Sequence, residues 1–213
     1  MKPVARRTIA DAPVQRAMRR AGFRVLLQRL GWRALTGVGL RLAMARLRGE
    51  PYRGLGPPAG EKERQSRIEI GEAVLLYRAL CARMPREAAL EVVRAVIREA
   101  AFISFDYLLS PMSPSDLANL DDAERHQLVA ENIARFPNAD AEIEEAAPER
   151  VAFTVTHCRF PALVAQLGHP ELAPLFCSAD EAYFEERLGV RFSRPQTIAE
   201  GAPTCPFRLE ALE

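Results

Sequence analysis

The sequence predicts an α+β fold in which N-terminal helices precede a small antiparallel sheet packed with helices. Three observations carry that expectation. Apolar residues recur at helical spacing through the first two thirds of the chain, and the period shortens to two after Pro137-Asn138. Breakers at residues 54–60 (Gly-Leu-Gly-Pro-Pro-Ala-Gly) set a basic helical arm, residues 1–57, apart from an α+β domain that is helical over 58–138 and sheet-forming over 139–213.

In the arm, Val14, Met18, Phe23, Leu26, Leu27 and Leu30 follow a helical period, and after Gly31 a second run continues with Trp32, Leu35, Val38 and Leu42. Both helices carry arginine on their outer faces. A third helix is expected from about Lys62 to Met84, with Ile68, Val74, Leu75 and Leu80 inward, and Pro85 suits the first position of a fourth. That fourth helix has a wide apolar face (Val92, Val93, Val96, Ile97, Ala100, Ala101, Ile103) and is expected to stop at the Ser-Pro-Met-Ser-Pro-Ser stretch of residues 110–115. Asp121, Asp122 and Glu124 favour a helix start, because negative side chains suit an N-terminus, and this helix should run to Phe136.

Beyond it, Ala141-Ile143-Glu145 and Val151-Phe153-Val155 alternate as strands do, and Val190-Phe192 and Phe207-Leu209 predict two more short strands. Helical stretches fill the interval, from Pro161 to Leu167 and from about Pro170 to Leu188. The acidic run Glu142, Glu144, Glu145 and Glu149 reads as a solvated strand edge, since charged edges discourage aggregation and no third oxygen ligand for a hard metal lies nearby.

With 48% hydrophobic and 27% charged residues over 213 positions, the chain has the balance of a globular protein and can bury a core. Arginine interrupts every apolar run of the first fifty residues, so no transmembrane helix is expected, and Met1 to Ala10 lacks the apolar region of a secretory or twin-arginine signal. Four cysteines are too sparse for a disulfide framework, and a reducing cytoplasm is the expected location.

The net charge of +1 hides a segregation. Residues 1–60 hold 13 Lys and Arg against Asp11 and Glu50, while residues 61–213 carry a net −10. The arm is therefore expected to dock on its own body or, as a homodimer contact, on a partner subunit. Peripheral contact with an anionic membrane is the alternative. Nucleic acid is not expected, because the basic faces lack the aromatic interleaving that single strands favour.

Chemistry concentrates in the last 56 residues, where Cys158, Cys177 and Cys205 each fall near an element boundary and Asp180 follows Cys177 by three, on the same helical face. Such thiols could hold zinc or iron with an open position for water, or supply a nucleophile beside an acid or base. Their spacings match no zinc-ribbon signature, and burial as core residues is the plainer reading. Cys81, beside Tyr77 and Leu80, reads as core. His157 faces away from Cys158 if the strand persists, and His169, between Gly168 and Pro170, reads as a loop residue.

The string Thr156-His-Cys-Arg-Phe160, then residues 167–180 (Leu-Gly-His-Pro-Glu-Leu-Ala-Pro-Leu-Phe-Cys-Ser-Ala-Asp), Phe192-Ser-Arg194, Thr197 to Gly201 and the closing Cys205-Pro-Phe-Arg208 together resemble the L-2-amino-thiazoline-4-carboxylic acid hydrolase family. The resemblance runs from about Val151 to Leu209, and Cys158, Cys177, Asp180, Gly201 and Cys205 stand at the family's marked positions. Pro206 departs from it, where many members have an acidic residue. A looser similarity to vinyl-reductase-type domains implies a ligand pocket over the sheet.

The resemblance implies a hydrolase that opens a small cyclic amidine-like ring with C–N and C–S bonds. Cys177, or a water on zinc or iron held by Cys158, Cys177 and Cys205, would attack the ring carbon. Asp180 would move the proton, and Arg194 or Arg208 could bind a substrate carboxylate, which guanidinium pairs with bidentately, although exposed strand residues in ordinary surface ion pairs are the plainer reading of both arginines. The other class of function is a non-catalytic small-molecule- or metal-binding accessory module of a biosynthetic pathway. Convergence of the three thiols and Asp180 on one open cavity separates the first class from the second.

Overall fold

The long N-terminal helix α1 (Ala12–Leu47) bends where the sequence places Gly31, whose backbone leaves the helical region at φ 70°, ψ 170°. A side chain is strained there, so glycine lets two helical runs join as one bent rod. The structure is a computed structural model describing residues 7–212; the first six residues of the basic arm, Lys2 and Arg6 among them, lie outside the described residues, as does most of the stretch read for a targeting signal.

Helices α2 (Glu61–Cys81) and α3 (Arg86–Leu108) follow, α3 with Pro85 as its N-cap. The buried stripe of α2 runs through Ile70, Val74, Tyr77 and Leu80, and Ile68, expected inward, lies half-buried at its margin. Leu26, Leu35 and Val38 of α1 enter the same apolar core as these residues and as Val93 and Ile97 of α3. The arm thus docks on its own body, and Arg19 and Arg46 both reach Glu72 of α2. The Ser-Pro stretch that ends α3 also starts a short helix, α4 (Pro114–Ala118), which the sequence reading missed. Ser113 caps it, reciprocated by Asp116. Helix α5 (Asp122–Ala134) opens with the same device, Asp121 with Glu124.

Strands β1 (Ala139–Ala146), β2 (Arg150–Cys158), β3 (Val190–Ser193) and β4 (Cys205–Ala211) form one antiparallel sheet in the order β1-β2-β4-β3. Between β2 and β3 lie α6 (Arg159–Gln166), a 3-10 turn (Pro170–Leu172) and α7 (Ala173–Leu188), which Gly189 ends in the left-handed conformation. The register sets Phe153 opposite Phe207 and Val155 opposite Cys205, so one face of the sheet is apolar. It packs on Phe102 and Phe105 of α3 and Tyr183 and Phe184 of α7, with the Phe153 and Phe207 rings stacked at 4.7 Å. The other face is polar. Three of the four residues of the acidic run, Glu142, Glu144 and Glu145, lie on edge strand β1, with Glu144 paired to Arg208 and Glu145 to Arg150, and Glu149 lies in the turn to β2.

Candidate active site

Four segments meet at one end of the sheet: the start of β1, the end of β2, the start of β4 and the residue after β3. The backbone N–H of Arg159 donates to the Asn138 carbonyl at 2.7 Å, which closes β1 against β2 where β2 turns into α6. Cys158 stands at that turn, and the Asn138 Nδ2 approaches its sulfur at 3.8 Å. Cys205 opens β4, and its sulfur accepts a hydrogen bond from the Ile198 backbone N–H at 3.1 Å. Thr197 caps the 3-10 turn that holds this N–H in place.

Helix α7 crosses above, and its second and third turns present Cys177 and Asp180. Arg194, just after β3, donates from Nη1 to the Asp180 carboxylate at 3.2 Å and from Nη2 to the Cys177 carbonyl at 2.8 Å. Its guanidinium also lies over the Phe207 ring at 5.0 Å. The Arg194 side chain is 6% exposed and that of Asp180 28%, so this ion pair is far better shielded than a surface bridge. The Arg194 Nε is buried without a partner.

Cys158, Cys177, Asp180, Arg194 and Cys205 all line one cavity. It encloses about 740 Å³ between atoms, its open mouth included. That is room for several waters, or for one ring-sized molecule. Six phenylalanines (136, 153, 160, 176, 184 and 207) form much of the wall.

Burial dominates the electrostatics. It pushes the Cys158 thiol up to about 11 and the Cys177 thiol up to about 12, with the Asp180 charge adding to both, and it raises Cys205 as well. All three therefore stay protonated near neutrality. Burial also raises Asp180, to about 6, against the pull of Arg194.

A second, smaller cavity shares Phe136, Asn138, Phe160, Phe176 and Asp180 with the first and reaches Glu69 on α2. Burial, then the charge of Asp180, pushes the Glu69 carboxyl up to about 8. The sequence reading did not single out Glu69. A signal was there: it stands three residues after Ser66 and four before Ala73, both buried, so the inward stripe of α2 passes through a carboxyl. Two carboxyls whose surroundings push them apart, one ionised and one protonated near neutrality, are the usual mark of an acid and a base.

Arg208 does not line the cavity: it alternates with Phe207 and Leu209 on β4, lies on the polar face, and is bonded to Glu144 at 2.7 Å. Among the described residues, no group of three or more His, Cys, Asp or Glu side chains is arranged to hold a metal ion. Cys158, Cys177 and Cys205 line the wall as thiols that burial keeps protonated, and N–H donors approach the sulfurs of Cys158 and Cys205. His157 is exposed. His169 accepts from the Arg78 Nε at 3.0 Å and meets the Tyr77 ring edge-on, remote from the cavity lining. Cys81 packs against the helical core.

A family model described as L-2-amino-thiazoline-4-carboxylic acid hydrolase matches residues 65–209. The match covers more than half of the chain and extends through the helical region to include Glu69. No curated protein and no solved structure matches the chain.

Proposed function

We propose, since the chain belongs to the L-2-amino-thiazoline-4-carboxylic acid hydrolase family, that it opens a small carboxylate-bearing ring of the 2-amino-thiazoline-4-carboxylate type with water, Asp180 acting as the base. The observation that supports this most is the Arg194–Asp180 pair in the wall of an apolar cavity, with Asp180 also lining the smaller neighbouring cavity that holds Glu69.

The ring carbon between nitrogen and sulfur is electrophilic. Water adds to it: the C–O bond forms as the C=N π pair moves to the ring nitrogen, and Asp180, ionised above about pH 6, takes the water proton and passes it to that nitrogen. The tetrahedral centre then collapses: its hydroxyl gives its proton to Asp180 as the carbonyl forms and the C–S bond breaks, and the departing sulfur takes a proton, for which Glu69, protonated below about pH 8, is the donor at hand. Proton exchange with solvent returns Asp180 and Glu69 to their starting states, and substrate plus one water yields one ring-opened product that carries a carbamoylated amine and a free thiol. Arg194 holds Asp180 in place and sets a positive charge in the cavity wall, which suits a substrate carboxylate.

Water is favoured over Cys177 as the nucleophile, because no base is hydrogen-bonded to the Cys177 sulfur among the described residues and burial pushes its thiol up to about 12. The cysteines serve as neutral, polarisable wall.

Conversion of 2-amino-thiazoline-4-carboxylate, followed by mass spectrometry of the product, tests the proposal. Asp180→Asn should lower kcat by about 10²–10⁴-fold, the usual worth of a positioned base, while Cys177→Ser retains most activity. A covalent adduct trapped on Cys177 in a single turnover would rule out attack by water. Tight binding of the ring acid with no conversion would instead favour a ligand-binding accessory role.

A further inference from the structure

Among the described residues, the large apolar side chains left exposed are Phe23, Trp32, Leu40, Met44, Leu47 and Leu212, and five of these six lie on α1. Trp32 is 64% exposed and Leu47 88%. Beyond Gly31, the spacing of Trp32, Leu40, Met44 and Leu47 places them on one side of the helix, opposite Leu35 and Val38, which are buried in the core. Phe23 extends this face across the bend, its ring 6.0 Å from that of Trp32.

The charges follow the same face. Helix α1 contains eight arginines and no acidic residue. Arg24, Arg33, Arg41 and Arg48 each directly follow an exposed apolar residue (Phe23, Trp32, Leu40 and Leu47), so a basic stripe runs beside the apolar one, about 100° round the helix. All four are exposed, and none has an acidic partner among the described residues. Residues 61–213, by contrast, carry a net −10.

We infer that the outer face of α1 is a docking surface for an anionic phospholipid bilayer. No helix among the described residues is long and apolar enough to cross a membrane. An interfacial helix needs only what α1 shows, apolar side chains to enter the headgroup boundary and flanking arginines to meet lipid phosphates. Charge complementarity sets the orientation, because the same surface repels the acidic body and attracts the basic helix.

A second copy fits this face poorly. A two-fold contact sets each patch against itself, which brings sixteen arginines from two α1 helices together with no acid on either helix. Nucleic acid would engage the arginines but leave the Leu40, Met44 and Leu47 stripe without a role.

Trp32 is the single tryptophan, so its emission reports on this face directly. The full chain is mixed with vesicles of phosphatidylcholine alone and with vesicles that also contain phosphatidylglycerol. A blue shift of Trp32 and co-sedimentation with the anionic vesicles only, both weakened by added salt, are expected. Leu40→Glu with Leu47→Glu should abolish both while leaving circular dichroism and ring-opening activity unchanged. Absence of the shift and of co-sedimentation overturns the inference. So does a shift that needs no vesicles and tracks dimer formation in sedimentation equilibrium, or one produced by an oligonucleotide and not by lipid.

Discussion

Asp180 depends on Arg194 for its charge. Burial pushes its carboxyl up to about 6, and the guanidinium, only 6% exposed, keeps it from rising further. Arg194→Met should therefore move the ascending limb of the pH–activity profile above pH 6, a shift that a purely structural loss would not produce. Glu69 works in the opposite sense. Its ordinary value of 4.5 rises to about 8 on folding, so between those values the native state binds more protons than the unfolded one, and stability falls as pH rises through that window. Glu69→Gln removes the penalty of ionising a buried carboxyl. Its melting temperature should match the parent's near pH 4 and exceed it increasingly towards pH 8, by about 2–4 °C for each kcal/mol recovered. An advantage that shrinks with rising pH would contradict the assignment of Glu69 as a buried, protonated acid.

Elements were legible where local chemistry specifies them. Gly31 split the arm into two helical runs, and the structure realises the break as a bend at a backbone conformation that only glycine adopts readily. No atom lies within 4 Å of where a Cβ would stand at Gly31, so the cost of Gly31→Ala is in the backbone alone. Thermal or denaturant unfolding should show about 1–3 kcal/mol lost, whereas an unchanged stability would mean that the bend is not held in solution. The acidic start of α5 was equally visible, and Asp121→Ala should cost about 0.5–2 kcal/mol through loss of its cap. Helix α4 was not foreseen, because Pro111 and Pro114 read as breakers, although Pro114 sits in the first turn of the helix, where a missing N–H costs nothing. Strand β4 separates the two readings of Arg208. The period of two that revealed the strand also puts Arg208 on the opposite face from Cys205 and Phe207, which favours the ordinary strand residue over the substrate anchor.

At the scale of the whole molecule, the tail residues Cys158, Cys177, Asp180 and Cys205 were singled out by residue type and by the family resemblance rather than by their spacing, and they line one cavity. Arg194 was foreseen as a substrate anchor; its hold on Asp180 depends on where α7 crosses the end of β3, which no local pattern encodes. Glu69 lies on α2, more than a hundred residues from Asp180, and only the packing of the helical region against the sheet region brings it to the same space. The thiols illustrate the same limit. Residue type suggested nucleophile or metal ligand, whereas apolar burial holds them protonated.

The central claim is that this packing assembles an acid and a base from distant parts of the chain. Its most direct test is the pH dependence of kcat/KM for ring opening, which reports the groups of the free enzyme. A bell-shaped profile is predicted, rising through about 6 as Asp180 ionises and falling through about 8 as Glu69 does, with the falling limb lost in Glu69→Gln. A profile that climbs steadily towards the thiol range near 11, or one that Glu69→Gln leaves unaltered, would contradict it.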